Sequence, residues 1–179
     1  MKRLSLIVAA AMSLLWLTFS AAPAAVDATV AWLEHRPVGG GYRVEMPGVP
    51  KRASQRVEGR LGDATLIFDL LDLGTTAYGV SYADLPDSIM TKRTVDQLLD
   101  DSRKGIVKNM DGSLVSSSNL QIEGHSGRSF TCSMPMKNAC AARNVLVGNR
   151  IFQLIYVGPK GTETGAEATR FLESFQLVP

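Results

Sequence analysis

Across 179 residues the chain carries only two histidines, His35 and His125, and two cysteines, Cys132 and Cys140. That scarcity argues against a metal site. A zinc site of the structural kind wants four nitrogen or sulfur ligands, and His125 is the only imidazole near the cysteine pair. No EF-hand loop, P-loop or dinucleotide fingerprint occurs, so no motif calls for a cofactor. No G-x-S-x-G elbow presents a serine nucleophile. Aromatic residues make up only 7% of the chain, too few to suggest a stacking platform. The acids Asp69 and Asp72, Asp84 and Asp87, and Asp100 and Asp101 are scattered, with nothing to mark a catalytic pair. There is no N-x-S/T site, which favours a bacterial envelope over a glycosylating secretory route.

One apolar run is present, and it stands at the start. Lys2 and Arg3 precede an uncharged stretch from Leu4 to Phe19, and Ala22-Pro23-Ala24 follows as an A-x-A site. These are the three parts of a secretory signal peptide, and the run is shorter than a spanning helix needs. Residues 1–24 are expected to be removed, with cleavage falling within 22–28, leaving one domain over 25–179 in the periplasm or outside the cell. Loss of Lys2 and Arg3 lowers the 19 basic residues to 17, equal to the 17 acids. A neutral domain without a Lys/Arg cluster lacks the electrostatic footprint of a nucleic-acid or anionic-membrane binder. No stable membrane insertion is expected after cleavage.

The pattern beyond the leader predicts strands near 30–36, 42–46, 52–58, 64–73 and 77–83, and again near 114–123, 127–133, 139–147 and 151–157. A short strand or tail closes the chain at 176–179. Gly39-Gly40-Gly41 supplies a loop tolerant of positive φ, and Pro47-Gly48-Val49-Pro50 stops the second strand. Ala64 to Leu73 is apolar apart from Asp69 and Asp72, as in a strand covered on both faces. Gly59 to Asp63 and Asp84-Leu85-Pro86-Asp87 read as turns. Thr94 and Gln97 stand at capping-box spacing before the stripe Val95, Leu98, Leu99, Ile106, Met110, which predicts a helix over about 94–110. Gly148-Asn149 signals a two-residue hairpin. Thr164 and Glu167 suggest a second capping box, opening a helix over about 164–175. Strand runs interrupted by two main helices make an α+β fold with an antiparallel sheet rather than a doubly wound one.

Three segments carry a family resemblance. Gly41-Tyr42-Arg43-Val44-Glu45-Met46-Pro47-Gly48-Val49-Pro50 is similar to the opening strand and proline stop of the PsbP-like superfamily, including its DcrB-like bacterial relatives. Tyr78 to Leu85 resembles the family's aromatic central strand, and Phe171-Leu172-Glu173-Ser174-Phe175 its closing helix. The resemblance implies an antiparallel sheet flanked by helices, serving mainly as an accessory or binding module. The cysteine pair is not a general feature of that family.

Cys132 and Cys140 fall at the ends of adjacent predicted strands, in the oxidising compartment to which the leader is expected to deliver them. A disulfide there would close a short loop and stabilise by ~2.5 kcal/mol. A thiol-redox role for Cys132 and Cys140 is the alternative, although the spacing is wider than C-x-x-C. A small hydrolase using His125 with Ser126 or Ser129 is a weaker one. Trp32 and Tyr42 flank the glycine loop and form a candidate binding surface, or else pack beneath it. The leading expectation is a non-enzymatic exported module whose partner is a protein or envelope component.

Overall fold

The computed structural model describes residues 31–58 and 63–178. The leader expected over 1–24 lies outside these residues, as does most of the turn expected at Gly59 to Asp63. β1 (Leu33–His35) and β2 (Tyr42–Met46) pair antiparallel around a tight turn, and β10 (Gln176–Leu177) joins the other edge of β2. The main sheet comprises β3 (Lys51–Val57), β4 (Ala64–Asp72), β5 (Ala77–Asp84), β6 (Ser113–Ile122), β7 (His125–Ser133), β8 (Asn138–Val147) and β9 (Arg150–Pro159). Its order is β3-β4-β5-β9-β8-β7-β6, antiparallel throughout.

Local chemistry explains the sharp reversals. Between β6 and β7, Glu123 (φ 50°) and Gly124 (φ 81°) both take the left-handed conformation that a two-residue primed turn demands. The Glu123 carboxylate then accepts the backbone N–H of Leu177 at 3.0 Å, fastening the C-terminal strand to this hairpin. Gly148-Asn149 joins β8 to β9 as expected, with Val147 opposite Arg150.

Three α-helices occur among the described residues: α1 (Asp87–Met90), α2 (Val95–Asn109) and α3 (Ala166–Glu173). The short α1 corrects the expectation of two flanking helices. Pro86, extended at φ −60° and ψ 146°, serves as its N-cap, so what reads as a turn continues as one helical turn that buries Ile89. The capping box on α2 forms, with Thr94 Oγ1 accepting from Gln97 N and Gln97 Oε1 from Thr94 N. The box expected at Thr164 does not. Gly165 is the N-cap of α3, and Glu167 instead accepts the Tyr78 hydroxyl at 3.0 Å.

Period-two alternation gives the sheet two distinct faces. On the first, Tyr78, Val80 and Tyr82 of β5 and Phe152, Leu154 and Tyr156 of β9 pack against Tyr42, Val44, Met46, Phe171 and Phe175. This face is covered by the small sheet and α3. On the second, Leu66, Phe68, Leu146 and Ile151 meet α1 and the first turns of α2, while Phe130, Ala142 and Ile155 meet Ile106 and Met110. No helix among the described residues is long and apolar enough to cross a membrane.

Candidate functional site

Three side chains from the main sheet tether the exposed turn between β1 and β2. Gly40 N donates to Pro37 O at 3.0 Å. Gly39 (φ 71°) and Gly41 (φ 74°) adopt a conformation that L side chains rarely enter, and a Cβ on Gly40 would lie 2.7 Å from the Pro37 ring. Three successive carbonyls are held from below. Arg52 Nη1 donates to Val38 O at 3.3 Å. The Tyr82 hydroxyl and Arg150 Nη1 reach Gly39 O at 3.4 Å each, and Arg150 Nη1 also lies 3.3 Å from Gly40 O. The tip side chain, Val38, is 96% exposed.

Each arginine is itself fixed by a carboxylate. Arg150 on β9 grips Asp84 on β5 with bonds of 2.6 and 2.8 Å, and its guanidinium sits 4.8 Å from the Tyr82 ring centroid. Arg52 on β3 makes the same fork on Asp69 of β4, at 2.9 and 2.8 Å. Asp69 is only 1% exposed. It also accepts the Tyr42 hydroxyl at 2.5 Å, and His35 Nε2 stands 3.3 Å from its Oδ2. That imidazole nitrogen is buried with no other partner, so the tautomer carrying its proton there suits the site.

Burial alone would raise the Asp69 pKa. Hydrogen bonds from His35, Arg52 and Tyr42, with the charge of Arg52, outweigh it and hold the carboxyl well below the usual range. Burial, then the bond to Asp69, pushes the Tyr42 hydroxyl far upward, so it remains a donor. The Asp84 carboxyl is lowered by its bonds to Arg150.

Beside the turn lies an open groove of about 610 Å³, lined by Arg36, Pro37, Val38, Gly39, Arg150 and Val178 among others. A second lobe of about 420 Å³ continues across Arg150 toward Asp84, Val147, Asn149 and Leu177. The turn, β9 and the C-terminal strand therefore converge on one concave surface at the end of the sheet. Two of its ionised side chains, Arg150 and Asp84, are engaged with each other.

The residues singled out from sequence are not gathered here. Cys132 and Cys140 face each other across β7 and β8 with Cα atoms 5.0 Å apart, joined as a disulfide. Both are buried in the second face, in the cluster that holds Ile106 and Met110. Trp32 is half-buried, edge-on to Tyr78 at 5.8 Å and beneath the Arg170 guanidinium at 4.6 Å. Tyr42 is 0% exposed, so it supports the turn from the core and offers no surface of its own. His125 and Ser129 lie four residues apart along β7, which at strand rise separates them by about 13 Å. Asp100 pairs with Arg103 and Lys104, and Asp101 with Arg93. Among the described residues no three His, Cys, Asp or Glu side chains cluster to hold a metal.

Sequence reasoning passed over the two Arg–Asp forks. One clue was visible: Asp69 interrupts an otherwise apolar strand, and a carboxylate there needs a partner.

No protein-family model matches the chain, and no curated protein matches it in sequence. Solved structures do match. The cyanobacterial PsbP protein (CyanoP) of Synechocystis sp. PCC 6803 aligns over 88% of this chain and 98% of its own, with a TM-score of 0.55 and 11% identity. A Pseudomonas aeruginosa protein of unknown function covers 74% of this chain and 85% of its own, at a TM-score of 0.33 and 8% identity. A Bacteroides thetaiotaomicron protein covers 79% of this chain and 46% of its own, at 0.29 and 17%. The first establishes a PsbP-like fold; the other two score too low to add to it.

Proposed function

We propose that this protein is an exported, non-enzymatic binding module of the cell envelope, which docks a protein or envelope component at the turn Arg36–Gly41 and the groove beside it. The observation that carries this reading is the tethered turn. Two Arg–Asp forks and a tyrosine hydroxyl hold three consecutive carbonyls, yet the side chain so positioned is a fully presented valine. Rigid presentation of an apolar tip lowers the entropy cost of docking, which is where a binding surface gains affinity. The PsbP-like fold, shared with CyanoP, is compatible with an accessory role but does not define a partner.

Export supports the disulfide and is supported by it. The leader at residues 1–24 would deliver the chain to a periplasmic or secreted location, where an oxidised pair is stable. Burial of both sulfurs favours a structural staple over thiol-redox work, since exchange needs an accessible thiolate. Consecutive His125 and Ser126 point to opposite faces of β7, and Ser129 lies about 13 Å from His125 along it, which speaks against a nucleophile–base contact.

A photo-crosslinking side chain placed at Val38, in the protein expressed with its own leader, tests the docking site. The expected result is one discrete adduct from the envelope fraction, lost when the same group is moved to exposed Lys108 on α2. Equal labelling at both positions, or none at Val38, would remove the turn as the docking surface. Intact-mass analysis of the exported protein, alkylated before and after reduction, tests the rest. A chain beginning within 22–28 that takes up alkylating agent only after reduction is expected. Retention of Met1 to Ala24, or two thiols free in the native protein, would contradict it.

A further inference from the structure

The two edges of the seven-stranded sheet are guarded very differently. The β3 edge carries Lys51, Arg52 and Arg56, with Pro50 directly before it. Charge and proline are the usual devices that stop a sheet edge from pairing with another chain. The β6 edge, Ser-Leu-Val-Ser-Ser-Ser-Asn-Leu-Gln-Ile, runs ten residues with neither. Its first seven side chains are exposed, among them Leu114 at 43% and Val115 at 68%. One guard is present: the register with β7 slips between Leu114 and Ser116, which disrupts the ladder at that end. From Ser116 to Ile122 the register is unbroken, so among the described residues a regular strand hydrogen-bonds to β7 on one side only.

We propose that β6 is an interface strand whose occupant is β6 of a second copy of this chain, antiparallel about a two-fold axis, joining two main sheets into one. Open backbone N–H and C=O groups select an extended polypeptide, and three features select this one. An uncharged edge meets its own copy without repulsion, whereas β3 against β3 would oppose basic residues to one another. Recognition of a foreign strand draws specificity from pockets for alternate side chains, and Ser116, Ser117 and Ser118 are too small to wall one. Full overlap of the unbroken stretch centres the axis on Asn119, an exposed residue. An amide side chain both donates and accepts, so at the axis it complements its own symmetry mate.

Sedimentation velocity on the purified chain over a wide concentration range, with two variants, tests this. The wild type is expected to show a concentration-dependent dimer. N119K should weaken dimerisation by about fivefold, because like charges then meet at the axis, while its melting temperature at low concentration stays unchanged. N119C should form a covalent dimer under mild oxidation, and V38C, exposed but outside β6, should not. A monomer at every concentration overturns the proposal, whether the edge then stays bare or takes another chain. A dimer that N119K leaves intact, or failure of N119C to cross-link, also overturns it. Asn119 is not among the residues that line the groove beside the docking turn, so sedimentation reads the β6 interface and crosslinking from Val38 reads the turn separately.

Discussion

The two faces of the main sheet bury polar groups in opposite ways. On the first face Asp69 stays ionised and is met by Arg52, Tyr42 and His35. On the second the buried groups are neutral. Ser81 donates to Gln153 at 3.1 Å, Gln153 donates to Ser102 of α2 at 2.8 Å, and Asn144 donates to the Leu99 carbonyl at 3.0 Å. The tasks differ accordingly. The neutral relay only sets how α2 sits on a sheet that its apolar stripe already holds. The charged cluster must fix a solvent-facing turn that has little apolar burial of its own. A bidentate arginine fork can do this because it fixes a plane and still spares a donor for a carbonyl. Charge is concentrated where packing cannot supply rigidity.

Four variants probe that contrast. The largest effect is expected from Asp69→Asn, which leaves a guanidinium and a buried hydroxyl short of their acceptor. A loss of about 3 kcal/mol in urea unfolding is predicted, at the low end for broken buried pairs because Arg52 keeps some contact with water. A loss under about 1 kcal/mol would mean that the cluster is not what secures the first face. Next comes the disulfide of the second face: Cys132→Ala with Cys140→Ala should cost ~2.5 kcal/mol by chain entropy, read from the same curves. If the pair also worked in thiol exchange, activity would vanish along with that stability. Gln153→Ala strands Ser81 and Ser102, and a loss of about 1–2 kcal/mol is expected, independent of pH between neutral and mildly acid conditions. The smallest effect belongs to Arg150→Ala, at about 1 kcal/mol or less, because its ion pair with Asp84 is half-exposed. Its consequence should be faster amide exchange at Gly40 and Gly41 rather than a lower melting point.

Acid sharpens the contrast further. Asp69 is held below its unfolded value of about 4, so its contribution is complete above that pH and is lost as pH falls through it toward the lower folded value. Asp84, lowered by Arg150, and Asp100, lowered by Lys104 and then Arg103, act in the same direction. Stability should therefore fall steeply below about pH 4. Asp69→Asn should flatten that slope, and Gln153→Ala should leave it as it was. Equal slopes in both variants would contradict the assignment of the leading titrating contribution to Asp69.

How far the molecule was legible follows the range of its interactions. Thr94 and Gln97 are three residues apart, and their capping box needs nothing but the helix between them. The Gly148-Asn149 turn is equally local. The cysteine pair could be read because its eight-residue separation matched a strand–turn–strand connection. The α+β antiparallel sheet and its PsbP-like character came from the order of such local signals. What stayed hidden needs the tertiary fold. Asp84 reads as a turn former, yet its partner Arg150 is 66 residues away. The Thr164 capping box is locally sound but loses Glu167 to Tyr78, 89 residues distant in sequence. Asp69 was visible as an anomaly in an apolar strand, but nothing local to it names Arg52, His35 and Tyr42 as the groups that surround it.

On this reading the first face devotes its charged groups to holding an exposed turn rigid. Backbone ¹⁵N relaxation of the turn amides tests it most directly. Val38, Gly39 and Gly40 should give order parameters near 0.85, like the strand residues of β2, and should fall together when Arg52 and Arg150 are both replaced by alanine. Order parameters below about 0.6 at these residues in the unaltered protein would contradict the account, because the tethers would then be fixing nothing.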